Sequence, residues 1–160
     1  MKKLFLLLIL TPLFSFGQLS LGQTADDYYS NGRVKSEDYQ DYRGAIADFT
    51  TAIELEPNNT IFYFHRAYAK EYLENHEGAI ADFTKVIEFI EVDNQQFVVE
   101  TYFNRGLAKI ELGEKDSGCL DLYMARDEGF GDYVESDSAI REHCNSLIRK
   151  LKYKKKIRNL

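Results

Sequence analysis

The sequence has no tryptophan, two prolines, two cysteines, two methionines and three histidines in 160 residues. So few prolines among many strong helix formers argues against an all-β sandwich and for an all-helical chain. The histidines (His65, His76, His143) contain no i, i+4 pair that could seat a metal, and His143 beside Cys144 lacks further ligands at a useful spacing. Cys119 and Cys144 do not form a Cys-x-x-Cys redox motif. There is no glycine-rich phosphate loop, no Gly-x-Ser-x-Gly and no nucleophile paired with a base. These gaps point away from an enzyme, and no cofactor or metal is expected.

Positive charge is also short overall. Twenty Lys and Arg stand against 26 Asp and Glu, a net of −6, which makes nucleic acid an improbable partner for the body of the protein. The balance is uneven along the chain. From Arg141 onward eight Lys or Arg face one acid, Glu142 (8 − 1 = +7). Residues 18–140 hold 25 acids and 10 bases (10 − 25 = −15). An acidic body therefore carries a basic tail.

The first residues read as an address. Lys2 and Lys3 precede an unbroken apolar run from Leu4 to Leu10, Pro12 interrupts it, and Ser15-Phe16-Gly17 offers small residues before Gln18. The run is too short for a comfortable permanent membrane span, and no cysteine follows it for a lipid anchor. The expectation is a signal peptide over 1–17, cleaved near Gly17. The protein would then be exported to the periplasm, or secreted, in a Gram-negative bacterium.

What the chain does have is repetition. Gly44-Ala45-Ile46-Ala47-Asp48-Phe49-Thr50 recurs unchanged 34 residues later as Gly78-Ala79-Ile80-Ala81-Asp82-Phe83-Thr84. A worn third copy, Gly118-Cys119-Leu120-Asp121-Leu122, follows, preceded by Tyr102-Phe103-Asn104-Arg105-Gly106, which mirrors Tyr63-Phe64-His65-Arg66-Ala67. Each copy carries two helical patterns with turn-forming residues between them, and Pro57-Asn58-Asn59 closes the first pair.

On these residues the chain resembles the tetratricopeptide repeat family, in units of 34 residues. The family's aromatic at position 4 is Tyr28, Tyr63 and Tyr102, and its small residue at 8 is Gly32, Ala67 and Gly106. Position 20 is Ala45, Ala79 and Gly118, and position 24 is Phe49, Phe83 and Leu122. The resemblance implies an all-α fold, a right-handed superhelical stack of three helix-turn-helix units. Repeat one covers 25–59, repeat two 60–93 and repeat three 99–132. A linker at 18–24, an insertion at 94–98, a capping helix at 133–151 and a basic tail at 152–160 complete the division. Position 7, usually Leu, is Asn31, Arg66 and Arg105, and position 11 is Lys35, Lys70 and Lys109. Asp48, Asp82 and Asp121 hold position 23. Arg66–Asp82 and Arg105–Asp121 are expected as ion pairs inside a repeat.

If the second helix of repeat three spans about 117–128 and the capping helix packs antiparallel to it, level residues sum to about 263, which is 119 + 144. A disulfide between Cys119 and Cys144 is therefore expected, with two buried thiols as the other reading.

In the family, positions 2, 5, 9, 12 and 13 of the first helices line a concave groove for a peptide or partner helix. Carried over, the binding face is Tyr29, Arg33, Phe64, Tyr68, Glu71, Phe103 and Leu107, with Ile61, Tyr72, Glu100, Ile110, Glu111 and Glu37 added at positions 2, 12 and 13. Aromatics edged by acids suit an apolar segment flanked by Lys or Arg. The alternative is that these rings pack between neighbouring first helices. The family's carboxylate clamp needs Lys and Asn where this chain has Tyr29 and Arg33, and Lys and Arg where it has Glu100 and Asn104. The function implied is non-catalytic protein or peptide binding. The second reading is a structural protein self-associating through its repeat ends or tail.

Overall fold

The computed structural model describes residues 22–89, 95–127, 142–147 and 149–150. Six helices run in order: α1 (Ala25–Glu37), α2 (Tyr42–Leu55), α3 (Thr60–Glu71), α4 (His76–Phe89), α5 (Gln95–Glu111) and α6 (Lys115–Asp127). Residues 142–147 are also helical. The expected signal segment 1–17, most of the linker, most of the capping helix and the tail lie outside the described residues.

Helix starts follow local chemistry. Thr24 and Asp27 cap α1 reciprocally: the Asp27 amide donates to the Thr24 hydroxyl at 3.2 Å, and the Thr24 amide to the Asp27 carboxylate at 2.8 Å. Those bonds, backbone first, hold the Asp27 carboxyl below its usual pKa. Asp41 caps α2 by accepting from the Gly44 amide at 3.0 Å, and Asn75 accepts from Gly78 at 3.0 Å at the start of α4. The turn before each second helix takes a left-handed residue: Gln40 (φ 54°), Glu74 (φ 57°) and Gly113 (φ 89°). Only the third is a glycine, the residue that takes this conformation freely.

Consecutive helices pair as α1–α2, α3–α4 and α5–α6, and the pairs stack through α2–α3 and α4–α5. The fold is all-helical. Small residues sit where paired helices cross. A Cβ on Gly118 would meet the Gly106 carbonyl at 2.6 Å, and one on Gly32 would meet the Phe49 ring at 2.7 Å. Phe49, Phe62, Phe83 and Leu122 are the largest fully buried side chains of the core. The residues read as an insertion at 94–98 are not a separate piece where described. Residues 95–98 form the first turn of α5, and Phe97 packs on Phe64 with ring centroids 4.5 Å apart.

The expected ion pairs form, with more partners than the sequence reading gave them. Asp82, only 3% exposed, takes Arg66 at 2.7 Å and Lys70 at 2.6 Å. Asp121, 5% exposed, takes Arg105 and Lys109, each at 2.8 Å. Each arginine also reaches the preceding pair: Arg66 donates to the Thr50 hydroxyl at 3.0 Å and Arg105 to that of Thr84 at 3.1 Å. Where Asn31 replaces the arginine, Asp48 keeps only Lys35, 2.7 Å away and off the line of a hydrogen bond.

Cys119 and Cys144 are joined as a disulfide, with Cα atoms 5.0 Å apart. The bond fixes segment 142–147 to α6, and His143 adds a contact to Asp116 at 2.8 Å. Leu147, Phe103, Leu107 and Ile110 pack around the cluster of Cys119, Leu122 and Cys144.

Candidate functional site

The first helix of each pair presents one stripe, because residues three or four apart share a helix face. Two polar links tie these stripes together. Between α1 and α3, the Tyr29 hydroxyl and His65 Nε2 are hydrogen-bonded at 3.0 Å, and the Tyr29 ring lies against Phe62 at 5.2 Å. Burial lowers the His65 pKa, and the nearby Arg33 guanidinium lowers it further. Burial also raises the Tyr29 phenol.

Between α3 and α5, the Tyr68 hydroxyl donates to Glu100 at 3.0 Å and accepts from the Asn104 amide at 2.7 Å. Asn104 donates as well to the Glu100 carbonyl at 2.7 Å. Burial first, then the Glu100 carboxylate, push the Tyr68 phenol far above its ordinary range. This tyrosine stays protonated and acts as a fixed donor.

The expected site residues therefore divide. Arg33 is exposed and grips Glu37 through two bonds of 2.8 Å on α1. Glu71 is half-buried and meets His76 at 3.2 Å. Tyr29 and Tyr68 are half-buried, each with a ring edge on the stripe and a hydroxyl spent between helices. Phe64 is corrected: at 7% exposure it belongs to the cluster of Ala67, Ala79, Phe83 and Val86, and offers a ligand almost nothing. The extra turn of α5 is the reason, since Phe97 covers it. Phe103 and Leu107 are half-buried against the disulfide cluster. Ile61 on α3 and Tyr72 at its C-cap, which the family's positions 2 and 13 place on the groove, are 46% and 65% exposed. Tyr72 stacks on Tyr42 with centroids 4.5 Å apart.

Among the described residues no group of His, Cys, Asp and Glu could hold a metal ion. No described helix is long and apolar enough to cross a membrane.

A tetratricopeptide repeat model matches residues 61–92, the span of α3 and α4. That span is a tetratricopeptide repeat. No curated protein matches the sequence. Among solved structures, the first tetratricopeptide domain of Spaghetti (RPAP3), bound to an HSP90 peptide SRMEEVD, is 18% identical with a TM-score of 0.60. That match covers 81% of this chain and 94% of the other. The Arabidopsis OM64 tetratricopeptide domain is 22% identical at a TM-score of 0.60, over 79% and 95%. The second such domain of human RPAP3, in complex with an HSP70 peptide, is 19% identical at 0.59, over 77% and 93%. At these identities the tetratricopeptide structures share the fold with this chain.

Proposed function

We propose that the tetratricopeptide stack is a non-catalytic protein-binding module of the bacterial periplasm or envelope, holding a peptide or partner helix along the stripe of α1, α3 and α5. The observation that carries this reading is the pairing of exposed apolar side chains with carboxylates on one face. Ile61 and Tyr72, eleven residues apart and so nearly in line on α3 and its C-cap, are exposed, Glu71 precedes Tyr72, and the Tyr68 hydroxyl meets the Glu100 carboxylate. Two of the similar solved structures are peptide complexes, which supports the same use of the fold here. Their peptides are acidic at the C-terminus, whereas this chain puts Glu100 where the family's clamp has lysine. The ligand proposed is therefore an apolar segment flanked by Lys or Arg.

End-to-end self-assembly is the weaker reading. The Arg–Thr link that joins neighbouring pairs has no half to offer at either end, because α1 carries Asn31 and α6 carries Tyr123 in those places.

Affinity capture from envelope extract with the wild-type chain and with Ile61→Ala plus Tyr72→Ala tests the binding. A partner captured by the first and lost from the second supports the proposal; equal capture defeats it. For location, the mature protein should begin near Gln18 by N-terminal sequencing. A mature chain retaining Lys2 would exclude export by this route.

A further inference from the structure

The binding face carries more negative charge than it neutralises. Glu100 and Glu111 lie on the α5 stripe with Asn104 and Leu107, at i, i+4, i+7 and i+11. Among the described residues neither glutamate has an ion pair; Glu100 meets only the neutral Tyr68 hydroxyl. On α1, Glu37 is matched by Arg33, and on α3 Glu71 has a contact with the His76 ring. A fitting occupant would thus bring cations to the α5 side and apolar groups to Ile61, Tyr72 and the tyrosine edges.

The chain itself contains such a segment. Residues 152–160 read Lys-Tyr-Lys-Lys-Lys-Ile-Arg-Asn-Leu, with five cations and no acid. Tyr153, Ile157 and Leu160 fall at i, i+4 and i+7, the spacing of one apolar helix face. Its point of attachment also fits. Leu147, three residues before the last described residue, Lys150, packs around the same cluster as Phe103, Leu107 and Ile110 of α5. The ten residues from Leu151 to Leu160 can extend about 33 Å. Two steps between neighbouring helices, about 10 Å each, take the stripe from α5 to α1.

We infer that the basic segment 152–160 is an internal occupant of this face, docking on its own stack, so that a ligand must displace it. The inference rests on the binding face proposed above. Tethering gives the segment an effective concentration of order 1 mM, so weak intrinsic affinity suffices to shield the face.

The experiment uses a labelled peptide of residues 152–160, followed by fluorescence anisotropy at low salt. Three proteins are compared: the full chain, the chain ending at Leu151, and the shortened chain with Glu100→Gln and Glu111→Gln, each checked for folding by circular dichroism. The shortened chain is expected to bind the peptide at least tenfold more tightly than the full chain. The double variant should lose at least fivefold, as should the shortened chain in 0.5 M salt. Equal binding by the full and shortened chains, or an unaffected double variant, overturns the inference. A salt-sensitive dimer of the full chain, abolished by shortening, would place the segment on a second copy and also overturn it. An unrelated peptide with a Leu-Phe-Leu core between lysines separates the two readings. If it binds through Ile61 and Tyr72 while the 152–160 peptide does not bind, only the internal-occupant inference fails; if neither binds, both fail.

Discussion

Arg105 holds two helix pairs at once: its Nε and Nη2 grip Asp121 of its own pair at 2.8 and 2.9 Å, while Nη1 reaches Thr84 of the preceding pair at 3.1 Å. Arg66 repeats the arrangement with Asp82 and Thr50. A charge buried this deeply is weak evidence of net stability, but removing one partner strands the other. The arrangement fixes how one pair sits on the next.

Arg105→Ala should therefore cost about 3 kcal/mol, because Asp121 keeps only Lys109 in a nearly dry site. Thr84→Val should cost about 1 kcal/mol, the scale of one hydrogen bond. Urea denaturation of both single variants and the double variant measures the coupling. Additive effects would show that Arg105 and Thr84 do not cooperate.

The left-handed turn residues offer a stabilising change. Gln40→Gly and Glu74→Gly should each raise stability by about 0.5–1 kcal/mol, relief at φ > 0 outweighing the added freedom of the unfolded chain. Gly113→Ala should lower it by about 1 kcal/mol. Thermal melts read all three, and a fall in melting temperature for both glycine variants would refute strain at these turns.

Phe64 and Phe83 share one cluster, so Phe64→Ala should behave as a core deletion. A loss of about 3–5 kcal/mol is expected for each. Tyr68→Phe removes only the hydroxyl that bridges Glu100 and Asn104, and should cost about 1 kcal/mol. A Phe64→Ala variant as stable as the parent would return that ring to the binding face.

His65 predicts a pH dependence. Its pKa is lowered in the fold, by burial and then by Arg33, with Glu37 opposing and the Tyr29 hydroxyl bonded to the ring. The unfolded chain thus binds a proton more readily, so stability is full above the unfolded value of about 6.5 and is lost as pH falls through the folded value. Denaturation midpoints of the parent and His65→Gln between pH 7.5 and 5 should diverge, the variant falling less. Parallel curves would rule out His65 as the titrating group.

Breaking the disulfide should lower stability by about 3.5 kcal/mol on chain-entropy grounds, given the separation of 25 residues. Hydrogen exchange on Cys144→Ser should show residues 142–147 losing protection before α1 to α4. Uniform loss along the chain would mean that the bond does not act locally.

Much of the fold was legible because identical side chains recur at fixed spacing. Gly-Ala-Ile-Ala-Asp-Phe-Thr occurs twice, and the Arg–Asp pairs follow from its register. The level-residue sum likewise brought Cys119 to Cys144. Two things were hidden. Thr50 and Thr84 act across units, so neither repeat alone shows their use. Phe64 and Tyr68 both hold groove-lining positions of the repeat, and the extra helical turn at 95–98, read as an insertion, separates them by bringing Phe97 over one ring. The tyrosine hydroxyls that bridge α1, α3 and α5 depend on neighbouring helices in the same way.

The stack uses two kinds of fastening, and they answer to different chemistry. Its inner joints are ionic and polar, through Arg66 and Arg105. Its last element is held by a covalent bond between Cys119 and Cys144. A thiol reductant would cut the end bond and leave the joints in place, since their buried ion pairs contain no sulfur and are little screened by salt. Closure at segment 142–147 can thus be loosened without touching the joints along the array.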